Sequence, residues 1–176
     1  MKKYIVLCAV GADRPGLIRD LAKAVADAGC TIADSRVAVL GSDFTIMMLA
    51  CGSWNAVAKL ESQAAALGKK FELAITAHRT EERPARDNML PYIVDLAALD
   101  RPGVVCEVAD FFATREINID EMNAWSYSAT NTGSAMLSIS MNISVPSDIH
   151  IGRLRDEFTD FCDGMNLDST LEPARR

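Results

Sequence analysis

The pentapeptide Asp-Arg-Pro-Gly-Leu at residues 13–17 recurs almost unchanged as Asp-Arg-Pro-Gly-Val at residues 100–104. The two copies begin 87 residues apart (100 − 13), and the similarity continues past the phrase itself. Apolar residues at helical spacing follow both copies: Leu17, Ile18, Leu21, Ala22 and Val25 match Val104, Val105, Val108, Ala109 and Phe112. Solenoid repeats are shorter, about 20–50 residues, so this period indicates one domain that has been duplicated.

Each copy also has the same order of predicted elements: strand, helix, strand, strand, helix, strand. This is the order of the ferredoxin-like unit. We therefore predict an α+β fold of two tandem ferredoxin-like βαββαβ domains, with antiparallel four-stranded sheets that each carry two helices on one face. Ser53 and Ser147 are predicted to cap the second helices. The second copy is about seven residues longer, and we assign the extra residues to the polar segment at 128–134.

A charged segment that is poor in apolar residues separates the two copies. The first domain is expected at residues 1–79, a linker containing Pro84 at residues 80–89, and the second domain at residues 90–176. Domains of this size bury a modest share of their surface, so each is expected to lean on its neighbour or on a second chain. A homodimer is therefore expected.

The composition argues against several classes of protein. Of the 176 residues, 49% are hydrophobic and 24% are charged, as in ordinary globular proteins, and no apolar run reaches the roughly 18 residues of a membrane span. The basic and then apolar start is interpreted as a strand, not a signal peptide, so a cytoplasmic location is expected. A net charge of −6 argues against direct binding of nucleic acid. Five scattered cysteines and two histidines predict neither disulfides nor a metal site, and no cofactor is expected.

The repeated phrase suits a sharp corner between a strand and a helix. Pro15 is predicted at the first helical position, and Asp13 is predicted to accept hydrogen bonds from the first free amides. Gly16 has no side chain, so the backbone amides of the first turn stay open to approach. Two interpretations remain: a purely structural corner, or a corner that also offers its amides and positive helix end to a small anion such as a carboxylate.

A βαββαβ unit with Asp-Arg-Pro-Gly at its first turn resembles the ACT domain, an amino-acid-sensing module of metabolic proteins. This resemblance covers nearly the whole chain, as two units in tandem. The first copy also carries GADRPG, DSRxAxLG, FT and GSWNA in that order, and by these motifs it resembles the family of glycine cleavage system transcriptional repressors. The resemblance implies a regulator that binds a transcription activator protein rather than DNA, with glycine relieving the repression.

In ACT domains the ligand lies at a domain–domain interface, held by the loop after strand one and by the start of strand two. The resemblance implies these ligand-binding residues: Ala12, Asp13, Gly16, Leu17 and Thr31 in the first copy, and Leu99, Asp100, Gly103, Val104 and Asn118 in the second. Many family members place Asn before the Ile that opens strand two. The second copy has that Asn, whereas the first has Thr31, so the two pockets are expected to differ in affinity or only one is expected to bind.

No nucleophile with a base, no metal set and no pair of catalytic carboxylates is recognisable, so the protein is not expected to be an enzyme. Formyltetrahydrofolate deformylases begin with a similar Asp-Arg-Pro-Gly domain and append a catalytic domain, for which this chain leaves no residues. Two alternatives stay open: an ACT-type regulatory subunit of an amino-acid metabolic enzyme, and a ligand-free dimerisation module. Arg36 is expected in an exposed salt bridge. Trp125 and Tyr127 form a candidate protein-contact patch if they are exposed.

Overall fold

A computed structural model describes residues 2–84, 88–130 and 132–174 of the chain. The chain divides into two compact units, Met1–Pro84 and Ala85–Arg176, which are called unit 1 and unit 2 below. The predicted linker of residues 80–89 falls at this division, and its residues 85–87 lie outside the described part of the chain.

Each unit contains the predicted order of elements. Unit 1 consists of β1 (Lys3–Ala12), α1 (Leu17–Asp27), β2 (Thr31–Leu40), β3 (Asp43–Gly52), α2 (Trp54–Phe71) and β4 (Ala74–Thr80). Unit 2 consists of β5 (Met89–Leu99), α3 (Val104–Ala113), β6 (Asn118–Ser128), β7 (Ala135–Pro146), α4 (Ile151–Met165) and β8 (Asp168–Pro173). The strands pair antiparallel in the orders β2-β3-β1-β4 and β6-β7-β5-β8. The predicted tandem ferredoxin-like fold is confirmed.

Each unit has a hydrophobic core of its own between the sheet and its two helices. The alternation of strand side chains sends every second residue of β1 and β5 to the helix-covered face, including the fully buried Ile5 and Val94. The second helices contribute Leu60 and Leu154, which are 0% and 2% exposed. The core clusters of the two units have no residue in common, so each sheet is stabilised by its own pair of helices.

The extra residues of the second copy lie mainly in one hairpin. Thr31 pairs with Cys51 in unit 1, and Asn118 pairs with Ser144 in unit 2. The second strands are therefore offset by 87 residues (118 − 31) and the third strands by 93 (144 − 51), which makes the β6–β7 hairpin six residues longer than its counterpart. This places six of the seven predicted extra residues there; Asn131, within the predicted insertion, lies outside the described residues.

The second helices begin differently in the two units. Ser53 caps α2 as predicted, because its Oγ accepts a hydrogen bond from the Ala56 amide at 3.2 Å. The prediction for Ser147 is wrong. Its amide donates to the Asn88 carbonyl oxygen at 2.9 Å, one step beyond the last β5–β7 pair, so Ser147 belongs to the turn that leaves the sheet and not to the start of the helix. The helix α4 starts later, and His150 caps it through a side-chain nitrogen.

Candidate functional site at the duplicated bends

Both copies of the repeated phrase form a bend that leads directly into a helix. Gly16 and Gly103 are the N-cap residues of α1 and α3, with φ angles of +93° and +97°. Glycine enters this left-handed region without the steric cost that a Cβ atom brings. The prediction that Pro15 occupies the first helical position is wrong, because α1 begins at Leu17. The proline shapes the turn before the glycine, and the glycine redirects the chain into the helix.

The first turns of α1 and α3 have no side-chain cap within the described parts of the chain. The prediction that Asp13 accepts hydrogen bonds from these amides is therefore wrong, since the cap position falls three residues later, at Gly16. The second helix of each unit, in contrast, is capped by a side chain, from Ser53 in α2 and His150 in α4. The amides of the two uncapped turns thus have no side-chain acceptor, and they stand at the positive end of a helix, which favours a small anion.

An arginine–carboxylate pair braces each bend. Arg14 Nη1 lies 3.3 Å from Asp20 Oδ2, and Arg101 Nη2 lies 2.7 Å from Glu107 Oε2. Hydrogen bonds from Arg19 and from Arg14 hold the pKa of Asp20 below its ordinary value, and the hydrogen bond from Arg101 does the same for the pKa of Glu107. The brace was not predicted from the sequence, although its signal is simple: an acid stands six residues after the arginine in both copies.

Replacing Arg101 with glutamine is expected to raise the pKa of Glu107 towards its ordinary value, because the guanidinium hydrogen bond favours the ionised carboxylate. The pKa of Glu107 is lower in the folded state than in the unfolded state. The ionised Glu107 therefore stabilises the fold above its unfolded-state pKa, and this stabilisation is lost as the pH falls through its folded-state pKa. An NMR titration of the side-chain carboxyl carbons measures the shift. Arg153→Gln is the matched control, because Arg153 pairs with Glu157. The same Glu107 titration in both variants would contradict the brace.

The two bends differ in how their aspartates are held. The amides of Asp13 and Asp100 donate to the carbonyl oxygens of Ser42 at 3.4 Å and Ala135 at 2.9 Å, so both bends lie against the hairpin between the second and third strands. Asp100 Oδ2 also accepts a hydrogen bond from Ser126 Oγ at 2.8 Å. The Asp13 carboxylate has no partner among the described residues. Only the first bend therefore offers an uncommitted carboxylate.

Two of the predicted ligand residues, Leu17 and Val104, can contribute through their backbone more readily than through their side chains. Leu17 and Val104 are each 1% exposed, and their side chains belong to the core. Ala12 and Leu99 are the last residues of β1 and β5 and fix the point at which each bend begins. The polar groups that each bend can offer to a ligand are therefore its backbone amides and its aspartate.

The start of the second strand lies at the far end of the sheet from the bend. Thr31 pairs with Cys51, which pairs with Tyr4 at the start of β1, whereas the bend follows Ala12 at the end of that strand. The eight intervening steps (12 − 4) correspond to about 26 Å of extended chain. Asn118 has the equivalent position in unit 2. Within a single unit, a ligand of amino-acid size cannot contact both the bend and the start of the second strand.

Three cavities in the described residues of unit 1, of about 800, 390 and 140 Å³, are lined by none of residues 12–17, and the second includes Asp20 of the brace. The largest opens beside Trp54, whose ring centroid is 5.7 Å from the Arg79 guanidinium carbon. The second lies between α1 and α2. Sequence analysis missed this groove, for which the signal is a small residue where the other copy has a large one, as at Ala24 and Phe111.

The remaining side chains singled out in the sequence lie on the surface. Trp125 and Tyr127 are 51% and 43% exposed, which meets the condition set for a protein-contact patch. Arg36 pairs with Asp34 in an exposed salt bridge, as predicted. In the described ranges, no group of three or more His, Cys, Asp or Glu side chains is arranged to hold a metal ion. Nor does any described helix have the length and apolar character needed to cross a membrane.

Comparison with known proteins places this architecture in a family. Residues 3–78 match the family model of the ACT domain. A glycine cleavage system transcriptional repressor of Escherichia coli (strain K12) is 32% identical over 168 residues, which span 96% of this chain and 88% of that protein. A crystal structure described as a glycine cleavage system transcriptional repressor is 27% identical, has a TM-score of 0.77, and is matched over 100% of this chain and 99% of that one. A protein of unknown function from Galdieria sulphuraria shares the fold, with a TM-score of 0.83, 20% identity and coverage of 99% of this chain and 100% of its own. The chain therefore belongs to the family of glycine cleavage system transcriptional repressors.

Proposed function

We propose that this protein is an amino-acid-responsive repressor that controls the transcription of glycine cleavage genes through contact with a transcription activator protein. The family relationship supports the regulatory role, since the Escherichia coli relative is named as a transcriptional repressor of that system. The net charge of −6 supports action through a protein, because phosphate backbones are bound by basic surfaces. We propose no catalytic step.

The uncapped first turns of α1 and α3 are the observation that carries the sensing part of the proposal. The carboxylate of a free amino acid would accept hydrogen bonds from the amides that follow Gly16 or Gly103, as anions do at helix N-termini. Its ammonium group needs an acceptor, and the uncommitted Asp13 carboxylate supplies one. Asp100 already accepts a hydrogen bond from Ser126. We therefore propose that the bend of unit 1 binds the ligand more tightly than the bend of unit 2.

The proposed ligand is a small amino acid, and glycine is the first choice because of the relatives' names. Ligand binding would favour the conformations that bind it, and the population able to hold the activator would fall. Thr31 and Asn118 remain proposed ligand residues, but the length of the sheet separates them from the bend of their own unit. A homodimer remains a proposal that sedimentation would test.

The deciding experiment compares a strain that lacks the gene with the complemented strain, using a reporter fused to the glycine cleavage promoter. We expect the deletion to raise expression in the absence of glycine, and glycine to raise expression only in the complemented strain. The purified protein should not retard promoter DNA by itself, but should change the migration of DNA bound by the activator. Retardation of DNA alone would contradict the protein-contact mechanism.

The two alternatives predict different results. Copurification of a metabolic enzyme in place of the activator, together with an unchanged reporter in the deletion strain, would support the regulatory-subunit alternative. A ligand-free dimerisation module predicts that none of the twenty amino acids raises the melting temperature.

A further inference from the structure

The groove between α1 and α2 of unit 1 has a volume of about 390 Å³ and is lined by both apolar and charged residues. Ala24 of α1 and Ala66, Leu67 and Phe71 of α2 provide the apolar part of the lining. Helix pairs in globular proteins normally interdigitate with few voids, because protein interiors are packed to crystal-like density. An open groove with apolar residues in its lining, between two helices of one unit, is therefore a feature that requires an explanation.

Unit 2 shows what the same helix pair looks like when this space is filled. Position 24 corresponds to Phe111 at the offset of 87, and position 67 corresponds to Phe161 at the offset of 94. The centroids of these two phenylalanine rings lie 4.9 Å apart. Arg115 covers the Phe111 ring at 3.8 Å from its centroid. Two aromatic rings thus occupy the space between α3 and α4 for which α1 and α2 provide an alanine and a leucine.

Each charged side chain at the rim of the groove has an oppositely charged partner among the described residues, except Lys70. Asp20 is held by Arg14 and Arg19, and Asp27 is paired with Lys23 at 3.0 Å. The Lys70 ammonium group lies 5.4 Å from the Phe71 ring centroid, and no carboxylate of the described residues pairs with it. The corresponding residue in unit 2 is Gly164, so this cation is particular to the open groove.

We propose that the α1–α2 groove of unit 1 is a docking site for a protein partner that inserts an aromatic side chain and places a carboxylate beside Lys70. We infer an aromatic side chain on the partner because unit 2 fills the equivalent space with phenylalanine. We infer a carboxylate on the partner because the Lys70 ammonium group would be complemented by a negative charge. Aromatic anchors that fill a pocket on the partner are the residues that dominate the energy of protein interfaces.

This inference deepens the proposed function and rests on it for the identity of the partner, the transcription activator. The shape and chemistry of the groove can be tested without that identity. A titration with N-acetylphenylalanine, which has both a ring and a carboxylate, is followed through the methyl signals of Ala24, Ala66 and Leu67 in the full chain. We expect saturable shifts in the millimolar range. N-acetylalanine, which lacks the ring, should cause none.

The charge at the rim is tested with an uncharged probe. N-acetylphenylalaninamide should bind about two- to five-fold more weakly than N-acetylphenylalanine, as expected for one exposed ion pair. Lys70→Gln should remove this preference and leave the binding of the ring. The proposal is overturned if N-acetylphenylalanine shifts none of the three methyl groups. It is also overturned if wild type and Lys70→Gln each bind N-acetylphenylalanine and N-acetylphenylalaninamide equally well.

Filling the groove is the matching genetic test. Ala24→Phe places a ring where unit 2 has Phe111, and we expect it to weaken probe binding at least tenfold without lowering the melting temperature. Ala26→Phe, which adds the same ring at an exposed position of the same helix, is the control and should bind like wild type. If Ala24→Phe does not fold, Ala66→Phe blocks the groove from an exposed position of α2. Unchanged probe binding in the folded blocking variant would refute the groove as the site.

The reporter described above separates this proposal from the proposed function. If the deletion raises expression and a blocking variant does so too, while Ala26→Phe represses normally, both proposals are supported. If the deletion raises expression but a folded blocking variant still represses, the regulatory function stands and the docking proposal fails. If the deletion has no effect, the proposed function fails and the titration alone decides the groove. A blocking variant that changes the oligomeric state in sedimentation would show that a second copy occupies the groove, which overturns the partner proposal.

Discussion

Gly16→Val is expected to abolish the glycine-induced stabilisation that the bend of unit 1 provides. A ligand that binds only the native state adds about 2.7 kcal/mol of stability at 100 times its dissociation constant. A valine at this φ of +93° is strained, so the backbone must rotate and the amides of the first turn lose their common direction. The strain itself costs about 1–3 kcal/mol, so each variant is compared with its own melting curve without ligand.

The effect of strain is separated from the effect on the site by a second glycine. Gly133, in the β6–β7 hairpin of unit 2, also has a positive φ, of +70°, and a Cβ atom there would meet nothing within 4 Å. Gly133→Val should therefore lower the melting temperature and keep the response to glycine that the bend of unit 1 provides. Gly103→Val tests the bend of unit 2 in the same way. Retention of the wild-type response in both Gly16→Val and Gly103→Val would remove the bends from the sensing proposal.

Phe112→Ala is expected to destabilise unit 2 by about 3–5 kcal/mol, the usual cost of removing a buried aromatic side chain. Phe112 is 0% exposed, and its ring centroid lies 5.2 Å from that of Phe111 and 5.3 Å from that of Phe158. Few atoms around such a site can close the space left by the ring, so the cavity adds to the lost burial. Relative to the roughly 5–15 kcal/mol of a whole domain, this loss is large.

The damage from Phe112→Ala should remain in unit 2, because the two core clusters have no residue in common. Native-state hydrogen exchange measures this directly: the amides of β5 and β7 should exchange faster, while those of β1 and β3 keep their protection. Val25→Ala is the mirror control, since Val25 is the equivalent buried residue of unit 1 at the offset of 87. Equal loss of protection in both units in either variant would show that the cores unfold together.

Local pattern was enough to predict the architecture, because the repeated spacing of apolar residues specifies which face of each element is buried. Along β7 all four expected inward residues are buried: Leu137, Ile139, Met141 and Ile143. On the expected inward face of α4, Leu154 and Phe158 are buried, and Ile151 and Phe161 are partly buried against the same core. The cap of α4 was mispredicted because Ser147 has good capping chemistry but its amide is bound to Asn88, just beyond the end of the β5–β7 pairing. That bond joins residues far apart in sequence, and a local rule does not include it.

The predicted ligand residues show the same difference between what local sequence indicates and what contacts between distant segments decide. Resemblance placed Asp13 and Thr31 in the site region, and the register of the sheet separates them by the length of β1. The position of the cap at Gly16 also depends on where the bend leaves the sheet, which the amide of Asp13 helps to fix by donating to Ser42. Sequence therefore predicted the kinds of groups available, and the sheet determined which of them are neighbours.

The sequence by itself determined that the protein is a duplicated ferredoxin-like chain with a glycine bend before the first helix of each copy, because periodicity and a phrase of five residues are local properties of the chain. Only the tertiary structure decided that those bends are uncapped, that the second-strand residues lie at the opposite end of the sheet, and that one helix pair is open where its duplicate is filled. These features depend on register and on the summed volumes of side chains from separate segments. Beside Ala24, α2 has Leu67 where α4 has Phe161, and the groove stays open between the two helices.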